Sequence, residues 1–251
     1  MSEVVIEARN LRLGYDDYVV LDGVDFSVKR GEIFGILGGS GCGKSTTLKH
    51  LIGLRQPLSG DILIKGRSIV NATENEREEL CREFGVLYQS GALFSSLTLA
   101  ENVALPAKEA LGLPWSVLSA LASVKLSQVG LRGFEDFLPA EISGGMRKRA
   151  GLARAMALSP DILFFDEPSA GLDPISSAEL DQLILDLRDA TGVTMVIVTH
   201  ELDSIFSVAD RVVILDKETK GVVAEGDPRV LRDESDNPWV REFLGRKGMR
   251  A

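Results

Sequence analysis

Cysteine is scarce in this chain, with two among 251 residues. Neither Cys42 nor Cys81 has a metal-ligating neighbour at a useful spacing, so both read as free thiols of a reducing compartment and a cysteine-built metal site is excluded. Long apolar runs are missing too: no stretch approaches the roughly 18 apolar residues of a membrane span. The N-terminal MSEVVIEARN carries acids early and lacks a basic region followed by an apolar core, which argues against a signal peptide. Any membrane role is therefore expected to come through a partner. Positive charge is in deficit, with 28 Lys and Arg against 37 Asp and Glu and a formal net charge of −9. Binding a phosphate backbone needs a basic face, so no nucleic acid is expected as a partner. The length allows a full core and exceeds one simple domain, so a large domain with an inserted subdomain is as good an expectation as two domains.

Glycine, by contrast, is concentrated where it has a chemical use. Gly38 to Thr46 reads GGSGCGKST and fits G-x-x-x-x-G-K-[ST], with Gly38, Gly43, Lys44 and Ser45 at the fixed points. Glycines let backbone N–H groups wrap an anion, Lys44 reaches the β- and γ-phosphates, and Ser45 offers a hydroxyl to Mg²⁺. The setting agrees: the apolar run Glu32 to Leu37 suits a buried strand, and Leu48, Leu51 and Ile52 follow at helical spacing. A helix N-terminus adds its partial positive charge to such a site. A nucleoside triphosphate is the implied ligand.

Along the chain, Val4 to Ala8 and Val24 to Val28 alternate as half-buried strands do, with the turn-rich Gly14 to Tyr18 between them. Tyr15 or Tyr18 is then either an exposed plate for a nucleobase or ordinary strand-edge packing. Gly60 to Gly66 and Phe84 to Tyr88 read as strands, the second ending at Gln89, and Glu74 to Arg82 as a solvated charged helix. From Leu93 to Leu158 helix formers dominate, and Pro106, Pro114 and Pro139 are expected to break the segment into short helices inserted between two strands. Within it, Ser143 followed by Gly144 and Gly145 is either a plain N-cap or a second anion site.

The run Ile162 to Glu167 ends in the carboxylates Asp166 and Glu167, placed to coordinate Mg²⁺ and activate water at a strand's C-terminal edge. Leu180, Leu183, Ile184 and Leu187 mark an amphipathic helix. Met195 to Thr199 is a further buried strand that ends at His200, a position where a lone histidine is more often structural than functional. Arg211 to Leu215 and Lys220 to Ala224 read as a closing pair of strands, and Trp239, Phe243 and Leu244 share one helical face of the tail.

Together these motifs resemble the ATP-binding subunit of ABC transporters over nearly the whole chain. Gly38 to Thr46 is similar to the Walker A loop, Gln89 to the Q-loop glutamine, Ile142 to Met146 to the signature motif and Ile162 to Glu167 to the Walker B strand. Ser169 to Asp173 is similar to the D-loop, and His200 to the switch histidine. The resemblance implies an α/β fold, a P-loop NTPase with a mainly parallel core sheet, an antiparallel β subdomain and an inserted α-helical subdomain. Residues 1–92 and 159–226 would form the ATPase core, 93–158 the insertion and 227–251 a C-terminal tail.

The resemblance further implies ATP bound by Gly38, Gly39, Ser40, Gly41, Cys42, Gly43, Lys44, Ser45 and Thr46, with Tyr15 stacked on adenine and Tyr18 packing. Mg²⁺ would be held by Ser45, Asp166 and Gln89. Glu167 would polarise the attacking water, with Lys44, Gln89 and His200 also catalytic. A second copy would pair head to tail, bringing Ser143, Gly144 and Gly145 over the nucleotide and Asp173 between the two sites. A transmembrane permease would complete the assembly at the cytoplasmic face of the inner membrane, where this subunit is peripheral.

One departure is informative: the common Leu-Ser-Gly-Gly-Gln is Ile142-Ser143-Gly144-Gly145-Met146 here, so the last position has lost its amide. That form, followed by Arg147-Lys148-Arg149-Ala150, together with Tyr88 to Phe94 and the tail Asn237 to Leu244, resembles the Mla/Mce-associated ATPases that power lipid traffic between two membranes. An Mce-domain lipid-binding protein and a small STAS-domain protein are then further partners. The rival readings are an ABC ATPase for another solute and a soluble iron–sulfur assembly ABC ATPase.

Overall fold

The computed structural model describes residues 3–16 and 18–245. Two sheets organise it. Strands β1 (Val4–Tyr15), β2 (Tyr18–Lys29), β4 (Ser59–Ile64) and β5 (Arg67–Ser68) form an antiparallel sheet in the order β2-β1-β4-β5. The larger sheet runs β10-β9-β3-β8-β7-β6, built from β10 (Gly221–Gly226), β9 (Arg211–Asp216), β3 (Ile33–Gly38), β8 (Thr194–Val198), β7 (Ile162–Asp166) and β6 (Phe84–Leu87). All its neighbours pair in parallel except β10 with β9.

The apolar runs have a direct cause, because the central strands are covered on both faces. Ile33 and Leu37 of β3, Leu163 and Phe165 of β7, and Met195 and Ile197 of β8 face one core, shared with helices α3 (Leu99–Leu111), α4 (Trp115–Gln128), α5 (Gly144–Ala155) and α6 (Pro174–Thr191). Alternate residues, Phe34 and Ile36, Ile162 and Phe164, Val196 and Val198, face a second core shared with β1, β2 and α1 (Lys44–Leu51). Strand β6 meets α5 so closely that a Cβ on Gly85 would lie 2.0 Å from the Ala155 carbonyl oxygen, which only glycine accommodates.

Two sequence expectations are corrected in detail. Strands β1 and β2 are 12 residues each, well beyond the alternating runs. Register shifts between Ala8 and Leu11 reset the alternation, and Asn10 adopts a left-handed φ of 45° there with its N–H on Asp25 Oδ1, so period-two reading stops too early. Pro106 does not end a helix but sits inside the 13-residue α3. Its cost of one backbone donor is offset by a Thr98–Glu101 capping box and by a buried face of Leu99, Val103, Ala104 and Ala107. Pro114 does act as punctuation, as the N-cap of α4, and Pro139 opens a single 3-10 turn.

Helix α2 (Glu74–Arg82) carries the capping box of Thr73 and Glu76 and buries only Leu80, as a solvated charged helix should. The tail forms α8 (Pro228–Glu234) and α9 (Pro238–Gly245). In α9, Val240 and Leu244 are buried, Phe243 packs against the same core as Leu244, and Trp239 stacks on Phe243 with ring centroids 5.2 Å apart. The last six residues of the expected 227–251 tail, and Asp17 of the turn-rich segment, lie outside the described residues.

Candidate nucleotide site

Strand order assembles the site. Because β3, β8, β7 and β6 are parallel neighbours, their C-terminal ends lie along one edge, bringing Gly38, Thr199 and His200, Asp166 and Glu167, and Gln89 side by side. An open parallel sheet binds ligands at that edge.

A cavity of about 640 Å³ opens there, lined by the phosphate-loop residues Gly38, Gly39, Ser40, Gly41, Gly43, Lys44, Ser45 and Thr46 and by Glu167 and His200. The loop turns into α1 at Gly43, whose φ of +103° and whose approach to Leu21 and Val20, 2.9 Å from a notional Cβ, exclude other residues. Lys44 is buried, and its Nζ donates to the carbonyl oxygens of Gly38 at 2.8 Å and Gly39 at 3.1 Å, so the ammonium is held within the curve of the loop. Ser45 is exposed at the cavity. Cys42 points away from it, buried among the apolar residues behind the loop, and burial pushes its thiol above the usual range.

Glu167 sits one residue past β7 in the left-handed region, with φ of 48°, strain of the kind found at functional positions. Its carboxylate accepts hydrogen bonds from Thr199 Oγ1 at 2.9 Å and the His200 backbone N–H at 3.3 Å, and faces His200 Nδ1 at 2.8 Å. Since a carboxylate only accepts, Nδ1 carries the proton in this arrangement and Nε2 is left for another partner. The Glu167 side chain is 13% exposed and that of His200 64%, so the acid is fixed while the imidazole stays open to a ligand.

Asp166 is different. Its Oδ1 is buried with no hydrogen-bond partner, and its carboxyl is pushed above the ordinary carboxylate value by burial first and then by the neighbouring Glu167. An orphaned buried carboxylate oxygen on the same sheet edge as the phosphate loop fits a hard cation taking oxygen ligands. Among the described residues no group of three or more His, Cys, Asp or Glu is placed to hold a metal ion by itself.

The remaining predicted residues are not at the cavity. Ser143 is exposed at the N-cap of α5, accepting from Met146 N–H at 3.2 Å, and Gly144 is exposed beside it. Gly145 has Ser176 and Leu172 as its nearest non-local neighbours. Asp173 caps α6, accepting from the N–H groups of Ile175 and Ser176 and from Ser176 Oγ. Gln89 is exposed beyond β6. Met146 packs against the larger core, where a thioether suits its surroundings better than the amide it replaces.

The tyrosines divide otherwise than expected. Tyr15 is half-buried, its hydroxyl 3.1 Å from Thr46 Oγ1 and its ring covered on one face by the Arg55 guanidinium at 4.4 Å. Tyr18 does not pack inside: it is 64% exposed and lines the cavity with Val20, Lys217, Lys220 and Phe243, and the Lys220 ammonium lies over its ring. Neither these lysines nor Thr199 stood out in the sequence, because β9 reaches the loop only through its pairing with β3, where Leu215 is registered against Gly38. The sole hint at Thr199 is a hydroxyl at the end of a buried strand.

With this geometry in view, comparison with known proteins is specific. A family model described as ABC transporter matches residues 21–170. The chain is 40% identical over 245 residues to the intermembrane phospholipid transport system ATP-binding protein MlaF of Haemophilus influenzae, which spans 98% of this chain and 92% of that protein. It is 43% identical over 241 residues to the probable ribonucleotide transport ATP-binding protein mkl of Mycobacterium leprae, 96% of this chain and 69% of that one. Among solved structures, it matches the dimeric post-hydrolysis state of the ATP-binding cassette MJ0796 bound to ADP and Pi, with a TM-score of 0.79 and 28% identity over 88% of this chain and 98% of that one.

Proposed function

Because the chain belongs to the ABC transporter family and is an ATP-binding, ATP-hydrolysing subunit of it, we propose that it energises movement of phospholipid or a related lipid across a cell envelope through a membrane permease. The near-full-length similarity to a phospholipid transport ATPase carries the substrate. The observation that carries the chemistry is the Glu167 carboxylate, fixed by Thr199 and His200 beside the Lys44 loop.

In the proposed mechanism Lys44 exchanges its two carbonyl partners for the β- and γ-phosphates, while the loop amides of Gly39 to Thr46 and the α1 N-terminus balance the remaining charge. Adenine is proposed to meet the aromatic pair Tyr15 and Tyr18, registered opposite one another where β1 turns into β2, with Tyr15 tethered to Thr46 and Tyr18 lining the cavity. Ser45 and Asp166 would hold Mg²⁺, with Gln89 joining them from the segment beyond β6. That ion would supply charge neutralisation of the phosphates. Glu167 polarises the attacking water, and His200 fixes Glu167 through Nδ1 while turning Nε2 to the γ-phosphate.

A second copy packs head to tail so that its Ser143 and Gly145 close over the nucleotide, with Asp173 between the sites; the exposure of Ser143 and its absence from the cavity support that pairing. Residues 1–92 and 159–226 act as the ATPase core, 93–158 as the inserted helical subdomain that carries the signature motif and 227–251 as the tail. The subunit sits at the cytoplasmic face of the inner membrane; no helix among the described residues is long and apolar enough to cross a membrane. An Mce-domain protein and a small STAS-domain protein complete the proposed assembly.

Purification from detergent-solubilised membranes tests the reading. Recovery with a permease and an Mce-domain protein, and ATP turnover stimulated by phospholipid in the reconstituted complex, is the expected result. Stimulation by ribonucleotide instead would favour the mkl-like reading, and recovery with soluble assembly proteins alone would refute a transport role.

A further inference from the structure

Lys148 is a charged side chain almost wholly inside the protein, 6% exposed, one turn into α5. Burying an ammonium is costly unless all three of its N–H donors find partners. Here they do: Nζ donates to the carbonyl oxygens of Glu167 at 3.3 Å, Pro168 at 2.5 Å and Ala170 at 2.7 Å. All three acceptors belong to the turn that follows β7. That turn is closed on itself by Ala170 N–H to the Glu167 carbonyl and carries Glu167 in its left-handed conformation. No other side-chain donor reaches those carbonyls among the described residues.

The consequence is geometric. The direction of the Glu167 carboxylate depends on its own backbone, whose N–H is still held by the Val198 carbonyl of β8 at 2.8 Å while its C=O turns out of the sheet into the Glu167–Ala170 turn. Thr199 and His200 secure the carboxylate end, and Lys148 secures the backbone end. Lys148 also belongs to the same helix that Ser143 opens, so one rigid element links the surface expected to meet a second copy with the turn bearing the acid. Burial pushes the Lys148 ammonium below its ordinary range, and the carboxylates of Glu201 and Glu167 act against that shift.

We infer that Lys148 is a positioning residue for hydrolysis, clamping the Glu167–Ala170 turn to the signature helix so that Glu167 points at the γ-phosphate when α5 is docked. The inference rests on the proposed role of Glu167 in polarising water. A clamp of this kind acts on the chemical step and leaves nucleotide binding by the Lys44 loop alone.

The test uses the full chain with K148M, K148Q and K148R, measuring turnover at saturating MgATP, equilibrium binding of ATP and thermal unfolding. K148M keeps most of the bulk and none of the donors, and turnover falls on the order of 10²-fold, the effect of a small misplacement of a catalytic group, while ATP affinity stays within about threefold. K148Q, with two donors, falls between, and K148R, which keeps donors for the same carbonyls, recovers most of the rate. In the E167Q background, K148M adds no further loss, because both act through one group. A folded K148M that turns over at the parental rate, a folded K148R as slow as K148M, or a full multiplicative loss in the double mutant would each overturn the inference. E167Q and K148M report separately. Normal turnover by E167Q removes the role of Glu167 itself, whereas slow E167Q with normal K148M removes only the clamp.

Discussion

Replacing Glu167 with glutamine keeps the size of the side chain and removes its charge. In the structure the carboxylate accepts from Thr199 Oγ1 and His200 N–H on one oxygen and faces His200 Nδ1 with the other. An amide accepts on one atom only, so one side of this arrangement is lost, and we expect a stability cost of about 1 kcal/mol. The effect on chemistry is much larger. Removing a positioned general base costs on the order of 10²–10⁴ in rate, or about 3–5 kcal/mol of transition-state stabilisation. ATP affinity is carried by Lys44 and the loop, which do not touch Glu167, and stays within about threefold. If hydrolysis is what reopens the head-to-tail pair, the variant should also accumulate as a dimer in MgATP. Phosphate release, ATP binding and light scattering with and without MgATP measure the three effects. Turnover of E167Q at the parental rate would refute the assignment. A large rate loss matched by an equal loss of ATP binding would show that Glu167 serves the ligand rather than the reaction.

Asp166→Asn should separate stability from function. The folded carboxyl sits above its unfolded value, so its favourable contribution is full only below that unfolded value and is lost as pH rises through the folded one; at neutral pH the charge destabilises. Asparagine should therefore raise the unfolding temperature of the nucleotide-free protein by roughly 2–4 °C at neutral pH. The gain should shrink as pH drops below the carboxylate range, while Mg²⁺-dependent turnover is lost; calorimetry across pH and phosphate release check the two halves. Ser143→Ala removes the α5 cap, worth about 1 kcal/mol, and should also abolish turnover without weakening ATP binding to the isolated chain. Parental protein should show turnover per chain that falls on dilution, and equal turnover in demonstrably monomeric protein would contradict the half-site reading.

The site residues divide by how far apart their causes lie along the chain. Gly38 to Thr46, Asp166 and Glu167 were legible because each is a short pattern at the end of a buried apolar run, and the run and its ending are local properties, whereas His200 gained a role only from the family resemblance. The helix cap at Ser143 is local for the same reason, and the structure adds caps at Thr73 and Thr98. Glu167 and His200 are 33 residues apart, however, and their hydrogen bond exists because β7 and β8 are parallel neighbours. Nothing in either segment alone states that pairing.

Sequence by itself determined the phosphate loop, the paired acids and the order of strands and helices, since those depend on side-chain chemistry within a few residues. Tertiary structure alone decided that Pro106 continues a helix, that Tyr18 and not Tyr15 stands open at the cavity, and that Lys217 and Lys220 reach it from the turn between β9 and β10. It also decided that Lys148, one cation in a basic run, is the buried one and holds the Glu167 turn. In each case the deciding contact joins segments far apart in the chain, and its energy comes from packing and partner geometry that spacing does not encode.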